Sequence, residues 1–353
     1  MKKHLLLKDK KKLKKTSHSG KILIKRRNIM KKIEFNERII TSKILPKTLI
    51  LIIILLVIKF DNYLSKTFFK VSKKNEKSKI KVCLCAIAKD ENLYINDFLK
   101  YYKELGYDHI YIYDNNDIND EKVENIIKKY INIGFVTLID YRGYRGKNNR
   151  PQLDAYYDCY ENHNKEYDWL TFFDLDEYLI LKPEGTKIHE FLESERYKDC
   201  PVVKINWVLY SDNDQIKYEN KPLMKRFTQV TKYKGDNFNI KSILRGNIPY
   251  YNYNRSYSPH YLYSKVKSCS TSGKVINGTY YSKFLDYKFA ILNHYNTKTI
   301  TEYTKKLRKG IATGYWILNN RTLNYYFNRF FGINNKTKEK VEIFNNAFNT
   351  SFV

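Results

Sequence analysis

The chain is expected to fold as an α/β protein, a doubly wound, mostly parallel sheet flanked by helices. Three observations predict it. Between residues 80 and 141, short β-branched apolar runs alternate with stretches of helical periodicity, the pattern that feeds parallel strands through crossover helices. Acidic residues gather where those strands would end, at Asp90 and Glu91, Asp114 and Asp117, Asp140, then Asp174 and Asp176. In open α/β sheets that edge is where ligands bind. Finally, 353 residues with 42% hydrophobic content can bury a large core in one or two domains.

The first strand is IKVCLCAIA, which runs out at Lys89, Asp90 and Glu91. NLYINDFLKYYKELG follows as a helix, with Leu93, Phe98, Leu99, Tyr102 and Leu105 near one face and Gly106 as its stop. DHIYIYD is the next strand, DEKVENIIKKYINIG a helix closed by Gly134, and FVTLIDY a third strand. The loop YRGYRGKNNRP carries Arg142, Arg145, Lys147 and Arg150. These cations can neutralise a diphosphate leaving group or sit on a mobile lid. A solvated loop in a Lys-rich chain is the plainer alternative.

DWLTFFDLDEYLIL, residues 168–181, sets Asp174, Asp176 and Glu177 inside an apolar run. A buried carboxylate without a partner is costly, so WLTFF reads as the buried strand and DLDE as its emergence. Strand alternation would point Asp174 and Asp176 to one side and Leu175 to the other. Two carboxylates so placed can bind a divalent cation that also takes diphosphate oxygens. A solvated acidic loop is again the alternative.

The formal charge is +28, and residues 1–47 carry 17 Lys and Arg against Asp9, Glu34 and Glu37. Half of the excess therefore precedes TLILIIILLVI, Thr48 to Ile58, an uninterrupted apolar block that Ile44, Leu45 and Phe60 extend. Lysines at both ends can snorkel to headgroups, and no small-residue cleavage site follows. The expected organisation is a basic cytoplasmic tail (1–47), a signal anchor (48–60), a polar stem (61–79), a catalytic domain (80–318) and a C-terminal helical extension (319–353). The positive-inside rule then sends everything after the anchor across the membrane. Cys83, Cys85, Cys159, Cys200 and Cys269 show neither a CxxC pair nor zinc spacing, and no bridge is assigned among them. Sequons at Asn254, Asn277, Asn320, Asn335 and Asn349 permit a luminal location.

Three segments in the same order and spacing, AIAKDENLYINDFLKYYKELGYDHIYIYDNND, QLDAYYDCYENHNKEYDWLTFFDLDEYL and NHYNTKTITEYTKKLRKG, resemble glycosyltransferase family 92 and the neighbouring family 2-like group of the GT-A fold. The resemblance implies a metal-dependent transferase that moves a sugar, often galactose from UDP-galactose, to a glycan with inversion. It also implies a type II anchor in the Golgi or endoplasmic reticulum. Carried over by position, Ala88, Lys89, Asp90, Glu91 and Asp114 contact the nucleoside, Gln152 lies close to the donor, and Asp174 and Asp176 form the metal-binding DxD pair. Arg150 is grouped with the donor-binding residues.

GT-A enzymes commonly complete the metal shell with a downstream histidine, which nominates His294 in LNHYNTK and, secondarily, His260 in YSPHYLY. The shell would suit manganese or magnesium. Lys241 and Arg245 in KSILRG match a basic family position. The family's Gly/Ser-rich loop after its tryptophan is replaced by NWVLYSDNDQIKYEN, whose Asp212 and Asp214 are the expected base, Asp212 first and Glu219 a weaker candidate. Two competing classes stand beside this one. Nucleotidyl transfer also uses paired aspartates, but no Gly/Ser phosphate motif precedes them. A basic module for nucleic acid or anionic membrane would show salt-dependent binding that survives deletion of residues 1–47. An inactive relative of the transferases is a further alternative. On the preferred reading the partners are donor, acceptor and membrane, with no nucleic acid.

Overall fold

A computed structural model describes residues 80–232, 235–248, 254–276, 284–309 and 319–352, all within one compact unit, Ser78–Val353. The expected tail, anchor and stem lie outside these residues. Among the described residues no helix is long and apolar enough to cross a membrane.

The first half alternates as expected: β1 (Val82–Ala88), α1 (Ile95–Leu105), β2 (His109–Asp114), α2 (Glu124–Asn132), β3 (Val136–Asp140), α3 (Pro151–His163) and β4 (Trp169–Phe172). Strand β1 pairs in parallel with β2 and β4, and β2 with β3. Period-two alternation along β1 sends Val82, Leu84 and Ala86 to the layer holding Phe98, Leu99 and Tyr102 of α1. Cys83, Cys85 and Ile87 face the opposite layer, with Ala155, Tyr156 and Tyr160 of α3. Gly106 closes α1 in the left-handed region at φ 99°, which only glycine enters cheaply. The helix starts later than its periodicity suggests: Leu93 is 47% exposed, and Ile95 takes the core position.

The second half departs from a purely parallel sheet. Strands β5 (Glu177–Leu181), β6 (Val202–Leu209), β7 (Ile240–Arg245), β8 (Asn254–Ser258), β9 (Tyr261–Ser264), β10 (Ser268–Cys269), β11 (Val275–Ile276) and β12 (Ala290–His294) follow, with short helices α4 (Ile188–Leu192) and α5 (Leu223–Arg226) between them. The main sheet runs β11-β10-β6-β7-β4-β1-β2-β3, and β7 lies antiparallel to both neighbours. After β4 the chain turns through residues 173–176 into β5, which pairs antiparallel with β12, while β12 runs parallel to β6. That register sets His294 opposite Glu177, next to the acidic turn.

Helices α6 (Ile300–Lys309), α7 (Asn320–Ile333) and α8 (Lys338–Phe348) close the chain around Tyr303, Leu307, Phe327, Phe330 and Phe344.

Four of the five cysteines left unassigned by spacing form two disulfides. Cys85–Cys159 joins β1 to α3, Cys200–Cys269 joins the lead-in to β6 with β10, and Cys83 stays free and buried. Burial raises the Cys83 thiol well above its ordinary value. Alkylation of the denatured, unreduced protein should therefore add one label, against five after reduction, as read by intact mass. Closing a loop across 74 residues of sequence restricts the unfolded chain, so Cys85→Ala with Cys159→Ala should cost about 2–4 kcal/mol. Labelling of three or more unreduced thiols would refute the pairing.

Candidate active site

The acidic turn between β4 and β5 opens into a cavity of about 1110 Å³ at the carboxyl ends of the strands. Asp174 and Asp176 both line it, but they do not share partners. Strand alternation does not govern them, because β4 ends at Phe172 and the pair sits in the turn.

Asp174 is held from three sides through its Oδ1. Gln152 Nε2 and Tyr156 OH, both on α3, donate at 2.5 and 2.8 Å, and Lys241 Nζ on β7 at 2.9 Å. Burial opposes its charge, yet the Lys241 ammonium holds the carboxyl below its usual range. Lys241 also lies 3.4 Å from Glu177, which is fully buried and whose carboxyl burial pushes well above the usual range.

Asp176 faces the other way. Its Oδ1 lies 3.5 Å from His294 Nε2, and its Oδ2 receives Lys298 Nζ at 3.3 Å and Lys306 Nζ at 3.1 Å. Burial disfavours this charge too, but Lys306 and Lys298 overcome it and keep the carboxylate well below its usual range. Burial lowers the pKa of His294, favouring the neutral ring that can ligate a metal. Four of the lining residues, Glu91, Trp207, His294 and Asn296, each carry a buried polar atom (Oε2, Nε1, Nδ1 and Oδ1) without a hydrogen-bond partner among the described residues. Buried polar atoms in native proteins are almost always satisfied, so four orphans on residues of one cavity wall mark a place for a ligand.

The expected nucleoside-binding residues divide. Lys89, Asp90 and Glu91 line the cavity, and burial pushes the Glu91 carboxyl up to about 7 against the pull of Lys298 and Lys306. Ala88 is buried in β1, its carbonyl accepting from Asn115 N. Asp114 is 4% exposed and spent on Asn116 and Arg142, whose guanidinium lies 3.1 Å away. Arg142 also donates to the carbonyls of Asp117, Ile118, Asp120 and Glu121, so it braces the loop between β2 and α2. Gln152 lines the cavity, and Arg150 is the N-cap of α3, outside the lining.

His260 lines the cavity as well, but its Nδ1 is 2.9 Å from the Ile240 carbonyl, and burial lowers its pKa to about 4. The Trp207 ring packs against both histidines, 5.0 Å from His260 and 4.2 Å from His294. Among the described residues no three His, Cys, Asp or Glu side chains gather closely enough to hold a metal by themselves. The expected four-ligand set of Asp174, Asp176, His294 and His260 is thus not assembled. Asp174 is turned to Lys241, and His260 to a backbone carbonyl. What remains is the facing pair Asp176 and His294.

The geometry also leaves the expected base elsewhere. Asp212 is buried against Lys340 Nζ of α8 at 2.7 Å, and its backbone N–H donates to Asn334 Oδ1. Asp214 pairs with Lys340 and Asn335. Neither lines the cavity; they fasten the loop after β6 to the C-terminal helices. Glu219 is ion-paired with Lys221 on the surface.

Sequence reasoning gave no chemistry to Lys298, Lys306 and Glu302, which the structure brings into the wall. Glu302 takes both Nη atoms of buried Arg226, at 2.9 and 2.5 Å, and the hydroxyls of Tyr94 and Thr299. Arg321, Thr322, Tyr325 and Arg329 of α7 also line the cavity, so the C-terminal extension is part of it.

Comparison with known proteins gives a family and remote structural likenesses. Among solved structures, a Pyrobaculum calidifontis mannosyltransferase in complex with GDP-Man and Mn2+ matches at 12% identity and TM-score 0.26, over 43% of this chain and 45% of that one. S. aureus TarS 1–349 in complex with UDP-GlcNAc matches at 13% identity and TM-score 0.33, over 76% and 79%. The chain thus spans less than half of the mannosyltransferase chain. No curated protein matches the sequence. The profile of Glycosyltransferase family 92 matches residues 78–331, which contain the acidic turn, His294 and all three strand-end acid clusters. On that match the chain belongs to glycosyltransferase family 92 and is a glycosyltransferase.

Proposed function

We propose that this enzyme moves a hexosyl group, galactose from UDP-galactose in the first instance, onto a glycan hydroxyl with inversion, on the luminal side of a membrane. The observation that carries the reading is Asp176 Oδ1 facing His294 Nε2 at 3.5 Å on a cavity of about 1110 Å³. Ligand pockets usually run to about 300–1,000 Å³, so this one has room for a donor and part of an acceptor.

The pair fits a hard divalent cation such as manganese or magnesium. It offers one carboxylate oxygen and one neutral imidazole nitrogen, leaving further positions to diphosphate oxygens and water. Bound there, the metal would supply Lewis-acid stabilisation of the departing diphosphate. Asp174 orients the turn through Lys241, Gln152 and Tyr156. Trp207, packed on both histidines, fixes the His294 ring. For the acceptor proton, Asp90 and Glu91 replace Asp212 and Asp214 as the carboxylates to test, since Glu302 is engaged by Arg226. Two disulfides suit an oxidising compartment, in keeping with the expected anchor and Golgi location.

Heat protection of the full-length protein by a panel of UDP- and GDP-sugars, with and without manganese, tests the donor class. A ligand bound only to the folded state adds about 2.7 kcal/mol of stability at a hundredfold excess over Kd and so raises the melting temperature. UDP-galactose with manganese is expected to protect most. Protection by no nucleotide sugar would contradict the proposal.

A further inference from the structure

We propose that Lys298 and Lys306 form a diphosphate-binding pair whose present counter-ion, Asp176, is only a placeholder. This rests on the nucleotide-sugar reading and adds to it residues that bear the leaving group's charge.

The argument begins with an imbalance. Two ammonium groups converge on a single carboxylate oxygen, Asp176 Oδ2, and Lys298 is 5% exposed. An ammonium has three donors, and among the described residues each of these has that one oxygen as its hydrogen-bond acceptor. Lys298 gains in addition only the face of the Tyr94 ring at 4.6 Å. Asp174 in the wall and Glu177 buried behind it are committed to Lys241, and Glu302 to Arg226. Burial raises the Glu91 carboxyl, and its buried Oε2 has no hydrogen-bond partner among the described residues.

The chain also works to hold the lysines here. Lys298 takes the left-handed conformation at φ 52°, unusual outside glycine, just ahead of α6. Glu302, between the two lysines on α6, is pinned by Arg226, Tyr94 and Thr299. Positive charge is thus held at the start and along the face of α6, on the wall of the cavity that also holds Asp176 and His294. A diphosphate offers acceptor oxygens to both ammonium groups, and charge-assisted contacts of that kind are the strong ones. With the phosphates bound, Asp176 would be freed of both ammonium groups.

Calorimetric titration of the full chain with inorganic pyrophosphate in EDTA separates the lysines from any metal. Wild type should bind, and Lys298→Ala and Lys306→Ala should each weaken binding about tenfold or more. Lys128→Ala, on the exposed face of α2, removes the same charge and should leave the affinity unchanged. Lys306, with a side chain 39% exposed, carries the test should Lys298→Ala fail to fold. Wild-type affinity in Lys306→Ala, or an equal loss in Lys128→Ala, overturns the proposal. Nucleotide-sugar protection of wild type with no lysine effect on pyrophosphate sinks the pair alone, whereas lysine-dependent pyrophosphate binding without any nucleotide-sugar protection sinks the transfer reading.

Discussion

Asp176→Asn should lower sugar-transfer turnover by about two to three decades, the loss expected when a charge that stabilises the departing group is removed. Asparagine keeps the shape and one oxygen but loses the charge that faces His294, Lys298 and Lys306. Asp174→Asn should behave differently. Its carboxylate is engaged by Lys241, Gln152 and Tyr156, so the change should appear first as lower thermal stability, with the metal concentration for half-maximal rate little altered. In Asp176→Asn that metal requirement should rise steeply. Equal behaviour of the two variants would mean that the turn acts as one carboxylate cluster, and wild-type turnover in Asp176→Asn would remove the basis of the site.

The second large effect is structural. Glu302→Ala should destabilise the protein by about 3–5 kcal/mol, because it strands the buried Arg226 guanidinium without its carboxylate. Arg226 has a fully buried side chain, and burial disfavours the Glu302 charge; hydrogen bonds from Arg226, Thr299 and Tyr94 still hold that carboxyl below its usual range. Replacing both partners by apolar residues of similar volume, Arg226→Met with Glu302→Leu, should recover much of the loss, since a well-packed apolar pair avoids the desolvation cost. Denaturant melts of the single and double variants decide this. A cost below about 1 kcal/mol in Glu302→Ala would place the pair with exposed salt bridges and deprive α6 of its anchor.

The parts of this molecule that could be read from its sequence are those fixed by local pattern. Strands β1 to β4 and helices α1 and α2 follow from period two, period 3.6 and the stops at Gly106 and Gly134. Asp174 and Asp176 stood out because charge in an apolar run needs a reason. His294 stood out through the resemblance, as the histidine downstream of the acidic pair. What was illegible depends on pairings remote in sequence. Strand β7 lies antiparallel between β4 and β6, and β5 leaves the main path to meet β12; neither pairing has a local signature. Asp212 looked like a base because nothing near it in sequence shows that Lys340 will claim it. Lys298 and Lys306 were hidden by composition, since lysine is common along the whole chain. The cystines were hidden by separations of 74 and 69 residues.

The central claim is that Asp176 and His294 hold the metal that meets the donor's diphosphate. A crystal structure of the protein soaked with UDP and manganese, with anomalous data, addresses it directly. The account predicts an anomalous peak within about 2.0–2.6 Å of an Asp176 carboxylate oxygen and of His294 Nε2, bridging to diphosphate oxygens that also meet Lys298 and Lys306. UDP bound in the cavity with manganese on other residues, or UDP bound outside the cavity, would contradict it.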